Sequence, residues 1–431
     1  MKPKVLILAY YWPPSGGAGV QRWVKLSKYL SRLGAEVFVV TVDEQHASYM
    51  TLDPSLAAEV DPAVKVHKTA SIEPLNWYAR LAGKENVPTA GFANVKKRSF
   101  FQKLLAALRS NLFIPDPRRG WKPFALREAS RLIREEGIGT VITSSPPHSV
   151  QLIGLALKKR FPLTWIADLR DPWTDIYYYP LLGHTALSRA LDRRYERQVL
   201  EQADQVITVS EGLVELFTAK SPSLRPEKFH IVPNGFDDED FEGFCDRQGE
   251  VFTLTYTGTM SDQYDPQALW EGIARLRAER PGIRLALATA GSLSGGVLAG
   301  IEAAGIADLH RHAPSVPHRE VIRFYEEASV LLLLIPHVAD AKGILTGKLF
   351  EYLAARKPVI CLGPPEGDAA AILRECQAGA TFDWQDQEGI YAWLSSTYDA
   401  WLQRSLPPSA EAALRRYARS AQARMIFELW K

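Results

Sequence analysis

The sequence predicts an α/β protein of two tandem, doubly wound domains, each a parallel sheet with helices on both faces. Three observations carry that prediction. At 431 residues the chain is too long for one ordinary core. Short, almost wholly apolar runs alternate with segments of helical period, the mark of strands covered on both faces. The alternation pauses at the acidic, turn-like Asp237-Asp238-Glu239-Asp240 and then starts again.

Composition narrows the class. Apolar residues make up 46% and charged residues 23%, as in soluble globular proteins. The net charge of +2 gives no global case for a nucleic-acid or membrane partner, so any basic surface must be local. Cys245, Cys361 and Cys376 show no metal-type spacing, and a sparse, odd set fits a reducing compartment. No apolar run approaches the ~20 residues of a membrane span. The apolar start runs into Pro13-Pro14 without a cleavage pattern, so the expected location is the cytoplasm.

The first domain is expected over residues 1–235. Residues 5–9 read as a buried strand, 20–33 as a helix closed by Gly34, and 36–42 as a second strand. Between the first strand and helix lies Gly16-Gly17-Ala18-Gly19, where glycines allow close backbone approach to a ligand. This spacing is not the dinucleotide Gly-x-Gly-x-x-Gly, and the bland alternative is a tight turn. Further strands are expected at 64–67, 140–143, 163–167, 205–209 and 228–232. Ligands of such sheets bind beyond the carboxyl ends of strands. That rule marks the 16–19 loop, Ser144 to His148, and Asp168-Leu169-Arg170-Asp171-Pro172-Trp173. Asp168, first out of its strand, should point at the cleft; His148 reads as a base, a sugar ligand or a solvated helix start. An insert over about 70–137 contains, at 96–109, a helix with Phe100, Phe101, Leu104, Leu105 and Leu108 on one face and basic residues around it. Such a helix lies on an anionic membrane or packs on its own domain.

After a linker at 236–250, the second domain spans 251–410. Strands at 251–256, 283–289, 330–335 and 358–362 end in turns containing Gly258-Thr259, Gly291-Ser292 and Gly363, and a further turn, Thr346-Gly347, opens the helix of Lys348; N–H groups in such turns form anion nests. Thr346 and Gly347 open a helix whose start suits a phosphate; Lys348 adds a full charge, and Glu351 lies one turn on, placed for a ribose diol. The plain alternative is an amphipathic unit with a solvated Lys-Glu pair. Residues 411–431 read as one helix with Leu414, Tyr417, Ala418, Ala421 and Met425 along a face.

Several motifs in order carry a resemblance over nearly the whole chain. They are Tyr10-Tyr11-Trp12-Pro13-Pro14 with Gly16-Gly17-Ala18-Gly19; Ile231-Val232-Pro233-Asn234-Gly235; Tyr256-Thr257-Gly258-Thr259; and Gly347-Lys348-Leu349-Phe350-Glu351-Tyr352 running to Pro358-Val359-Ile360. Together they resemble the GT-B glycosyltransferases, and most of all the retaining enzymes of family 4. The resemblance implies two Rossmann-like domains facing a cleft, with a nucleoside diphosphate sugar on the second and a hydroxyl acceptor on the first. Glu351 would bind the donor ribose. Lys348, Gly347, Gly258 and Thr259 would lie near the diphosphate, and Gly17 and Gly19 would approach from the other wall. The last helix, 411–431, would cross back to the first domain.

Three departures stand out. Gly343 occupies the position of an earlier family glutamate, with Asp340 as a weak substitute. Thr259-Met260-Ser261-Asp262 lacks the usual Arg and Lys. A strand that ends in histidine in many members ends here in Asp168, which leaves Asp168 and His148 as candidates beside Lys348 for the catalytic positions.

The expected chemistry is metal-independent and cofactor-free sugar transfer, retaining by resemblance, with the leaving diphosphate taking the acceptor proton. The 96–109 segment hints at a lipid-linked acceptor at the inner membrane face, as in surface polysaccharide or glycolipid assembly; a soluble acceptor stays open. Two rivals remain: a nucleotide-sugar 2-epimerase, and a non-catalytic sugar-nucleotide-binding scaffold.

Overall fold

The structure, a computed structural model, describes residues 2–49, 51–73, 111–176, 179–247, 249–264, 266–314, 316, 318–338 and 341–430. It divides into two compact units, Met1–Pro233 with Gln422–Lys431, and Asn234–Ala421. The 96–109 segment and Asp340 lie outside the described residues.

The first unit holds β1 (Lys4–Ala9), β2 (Glu36–Val42), β3 (Lys65–Thr69), β4 (Thr140–Ser145), β5 (Thr164–Leu169), β6 (Gln205–Thr208) and β7 (Phe229–Ile231). All pair in parallel, in the order β3-β2-β1-β4-β5-β6-β7. The winding reverses between β1 and β4, which opens a crevice at their carboxyl ends. Its helices are α1 (Ala18–Arg32), α2 (Lys122–Glu136), α3 (Gln151–Lys158), α4 (Ala186–Gln202) and α5 (Glu211–Thr218). α1 packs on one face of the sheet through Val20, Trp23, Val24 and Leu30. α2 to α5 cover the other through residues such as Ala129, Leu155, Val199 and Phe217. Gly34 closes the turn after α1 at φ 96°, a backbone angle that suits only glycine well.

The second unit holds β8 (Phe252–Thr257), β9 (Leu285–Ala290), β10 (His310–Ala313), β11 (Val330–Leu334), β12 (Val359–Leu362) and β13 (Gly379–Phe382). Their parallel order is β10-β9-β8-β11-β12-β13, with the reversal between β8 and β11. Its helices are α6 (Gln267–Glu279), α7 (Gly295–Ala303), α8 (His318–Glu327), α9 (Gly347–Ala355), α10 (Asp368–Glu375), α11 (Gln387–Leu402) and α12 (Glu411–Arg415); α13 (Arg419–Glu428) straddles the division.

Three sequence expectations are corrected. β10 and β13 were not foreseen: they are short edge strands, and His310-Arg311-His312-Ala313 and Gly379-Ala380-Thr381-Phe382 lack an apolar run. The final helix is broken rather than continuous. Phe236 N–H donates to Tyr417 O and Arg419 N–H to Phe236 O, a bridge that takes the groups a helix would need. Met425 is therefore exposed, not in line with the buried Leu414 and Tyr417. Asp168 is not beyond its strand but inside β5, and it faces α1.

Candidate functional site

At the carboxyl edge of the second sheet, α9 starts directly beside the end of β8. Its cap, Thr346, makes no side-chain bond to the helix, and Leu349 N–H donates to Thr346 O at 3.3 Å. Lys348 folds back over β8. Its Nζ donates to the Tyr256 hydroxyl at 2.7 Å and sits 4.2 Å from the centre of the Tyr256 ring. That hydroxyl in turn donates to Thr259 O at 2.7 Å, which fixes the turn after β8. Gly258, at φ 106°, makes the crossing possible: a Cβ there would stand 2.6 Å from Lys348 Cε and 2.9 Å from Nζ. Burial lowers the Lys348 pKa to about 8, opposed by the Glu351 carboxylate. The neighbouring turn after β9 locks onto Gly258, through Gly258 N–H to Ala290 O (2.6 Å) and Ser292 N–H to Gly258 O (3.2 Å).

Glu351 Oε2 accepts a 2.6 Å bond from the Tyr325 hydroxyl, which lies 3.1 Å from Thr257 Oγ1. Burial, then the Glu351 charge, raise the Tyr325 pKa well above its ordinary value, so this phenol stays a donor. Gly258, Thr259, Gly347, Lys348 and Glu351 thus gather at one sheet edge. Gly343 is exposed with open space around it. Sequence reasoning missed Tyr256 and Tyr325 as partners. Tyr256 was visible as part of a motif; Tyr325 comes from α8, and no local pattern ties it to Glu351.

In the first unit, the crevice beside β1, β4 and β5 is lined differently. Asp168 is fully buried, with Oδ1 accepting from Arg22 Nη2 (3.0 Å) and Oδ2 from Trp23 Nε1 (2.8 Å) and Ser144 Oγ (2.8 Å). Both oxygens are occupied and none reaches solvent, so Asp168 ties α1 to β4 and β5. The cation at the mouth is Arg170, whose Nε lies 3.9 Å from Asp168 Oδ2. Its Nε donates to Ser145 O at 3.1 Å, and its guanidinium lies against Gly19, where any Cβ would collide with it. Gly17, at φ 109°, is exposed with nothing near its missing side chain.

His148 opens the short helix His148–Val150 and stacks on Trp173, centroids 4.6 Å apart and planes 10° from parallel. Its Nδ1 is buried with no hydrogen-bond partner. Burial, then the Arg170 charge, drive its pKa down to about 3. The ring is neutral near pH 7 and can exchange hydrogen bonds, but it is a weak base. Among the described residues no group of three His, Cys, Asp or Glu is arranged to hold a metal ion.

Comparison with known proteins bears on the family and the fold. A family profile described as a glycosyl transferase 4-like domain matches residues 16–235, just over half of the chain, and the chain belongs to that family of glycosyltransferases. A search of curated proteins found no match. Solved structures share the fold at low identity. A glycosyltransferase from Rickettsia africae ESF-5 superposes with a TM-score of 0.61 at 13% identity, covering 100% of this chain and 98% of that one. Anabaena HepE, solved in complex with UDP and glucose, gives 0.58 at 13%, covering 99% of each. A structure described as a putative UDP-N-acetylglucosamine 2-epimerase from Listeria monocytogenes gives 0.52 at 12%, covering 99% of this chain and 95% of that one. The architecture is GT-B, with two parallel-stranded α/β units. No helix among the described residues is long and apolar enough to cross a membrane.

Proposed function

We propose that the chain transfers a sugar from a nucleoside diphosphate sugar to an acceptor hydroxyl, with retention and without a metal. The observation that carries this reading is Lys348, held on Tyr256 beneath Gly258 at the open start of α9. A partly desolvated ammonium at a helix start suits a diphosphate dianion, and its attraction grows as the sugar–oxygen bond breaks and charge builds on the leaving group. Glu351, oriented by Tyr325, accepts the ribose hydroxyls. The HepE complex supports UDP as the first candidate carrier.

The first unit supplies the acceptor side. Arg170 and the Gly17–Gly19 backbone offer a cation and a bare main chain to an anionic or hydroxyl-rich group. His148 offers its unpartnered nitrogen to a sugar hydroxyl. Asp168 is retained only as the residue that holds α1 and β5 together. The acceptor proton passes to the departing diphosphate oxygen, so no strong protein base is required. We further assign the enzyme to surface polysaccharide or glycolipid assembly, with the acceptor presented at a membrane.

The test is a thermal-shift screen with UDP, GDP, dTDP and ADP, followed by turnover of the matching sugar nucleotide with and without acceptor. A ligand that binds only the folded state raises its melting temperature. One nucleoside diphosphate should stand out, and the shift should vanish in Lys348→Met. No shift with any of them sinks the donor assignment; sugar epimerisation without acceptor sinks transfer.

A further inference from the structure

The helical layer of α2, α3 and α4 carries more positive charge than the overall balance of +2 explains. On α4, Arg193, Arg194 and Arg197 are exposed and share the outward face, while Val199 and Leu200 pack inward. Lys159 and Arg160 are exposed at the end of α3, and Arg119 is exposed just before α2. Burial, then Arg119, Arg160 and Lys159, lower the pKa of Lys122, so these four cations stand close enough to feel one another. Among the described residues none of these cations pairs with a carboxylate. An unpaired group of like charges repels itself and attracts an external anion.

A second observation says what kind. Leu112, Leu181 and Leu187 are 65%, 61% and 80% exposed. They are held in one place: Asn111 donates to Gly183 O (3.0 Å) and accepts from Thr185 N–H (2.7 Å), and Arg119 Nη1 donates to Leu112 O (3.3 Å). Three projecting leucines at the head of a basic helical layer match the two layers of an anionic bilayer surface, apolar below and negatively charged at the head groups. A nucleic acid would meet the cations but leave the leucines without a partner.

We propose that this face of the first unit docks on an anionic lipid surface, the three leucines entering the interfacial layer and the arginines and lysines meeting the head groups. The assignment rests on this unit alone and is independent of the donor reading.

Vesicle co-sedimentation of the whole chain tests it, using phosphatidylcholine alone and phosphatidylcholine with about one-third phosphatidylglycerol. Binding should need the anionic lipid and weaken with added salt. Each surface cation contributes about fivefold, so Arg193→Gln with Arg194→Gln should weaken binding about twenty- to thirtyfold. Leu112→Ser with Leu187→Ser should weaken it at least about tenfold and leave the salt dependence in place. Arg225→Gln with Arg311→Gln, an equal charge change at exposed residues elsewhere, should bind as the parent does. Unchanged melting curves confirm that each variant folds. Equal binding to neutral and anionic vesicles, no effect of the Arg193 and Arg194 changes, an equal effect of the control, or preference for an RNA oligonucleotide each overturns the proposal. Vesicle binding that persists where no nucleotide binds supports this surface and counts against the donor site.

Discussion

The Lys348 ammonium lies 2.7 Å from the Tyr256 hydroxyl and 4.2 Å from the centre of its ring, desolvated enough that its pKa falls to about 8. A cation in this setting is poorly solvated, which works against stability. On the proposed donor reading a diphosphate would compensate it, so the same residue would work for binding.

Between pH of about 8 and the ordinary lysine value of 10.5, the folded state binds fewer protons than the unfolded state at Lys348. Its contribution to stability thus rises with pH through that window, and the penalty is fully present below it. Lys348→Met should raise the melting temperature of the empty protein at pH 7. It should also cut nucleoside diphosphate affinity by about 10- to 100-fold, the worth of a charged hydrogen bond. Parent affinity should decline as pH rises through about 8, as the ammonium loses its proton. Calorimetric titration on both sides of that pH checks both statements; a pH-independent affinity would remove Lys348 from the diphosphate.

Glu351 gives a sharper readout because a ribose diol can be altered in the ligand. If Glu351 holds it, a 2′-deoxy nucleoside diphosphate should bind about tenfold more weakly than the ribose form, the worth of one hydrogen bond to a charged group. In Glu351→Gln that preference should shrink to a fewfold. Glu351→Ala should in addition destabilise the second unit by about 1–3 kcal/mol, because the buried Tyr325 hydroxyl loses its acceptor. Equal discrimination in parent and variants would place the ribose elsewhere.

The second sheet edge was readable from the sequence because its chemistry is local. Gly347, Lys348 and Glu351 share one helix, and Gly258 ends a strand whose apolar run is plain. Alternation alone gives the parallel, doubly wound class, whereas the order of strands and the reversals beside β1 and β8 are seen only in the structure. The first crevice was less readable. The role of Asp168 depended on Arg22 and Trp23, more than a hundred positions away in sequence, and on β5 running two residues past its apolar run. Arg170 stood in the same charged cluster, but only the structure shows that its guanidinium packs against Gly19 while its Nε stays 3.9 Å from Asp168 Oδ2. The break before α13 depended on a bridge to Phe236 that no helical period reveals.

Two glycines should respond differently to the same change. At Gly19 an added methyl meets only the movable end of Arg170, so Gly19→Ala should leave stability within about 1 kcal/mol of the parent while lowering turnover by displacing that guanidinium. At Gly258 the methyl meets Lys348 and the backbone is left-handed, so Gly258→Ala should cost about 1–2 kcal/mol as well as donor affinity. Denaturant midpoints and steady-state rates separate the two. Normal turnover in Gly19→Ala would remove Arg170 from the acceptor side.

The buried pair of Arg22 and Asp168 admits a test that separates a structural from a catalytic aspartate. Arg22 is fully buried and donates to Pro233 O at 2.9 Å as well as to Asp168. Asp168→Ala strands that guanidinium without its counter-charge, and breaking such a pair costs about 3–5 kcal/mol. Replacing both, as Arg22→Met with Asp168→Leu, removes both charges and should recover the charge part of the loss, seen as a denaturant midpoint between those of Asp168→Ala and the parent, because Trp23 Nε1 and Ser144 Oγ still lack their acceptor. An aspartate that takes part in chemistry would leave the stable double variant inactive. One that only joins α1 to β5 would leave it with turnover restored in step with its stability, which is the outcome the closed hydrogen-bond shell of Asp168 predicts.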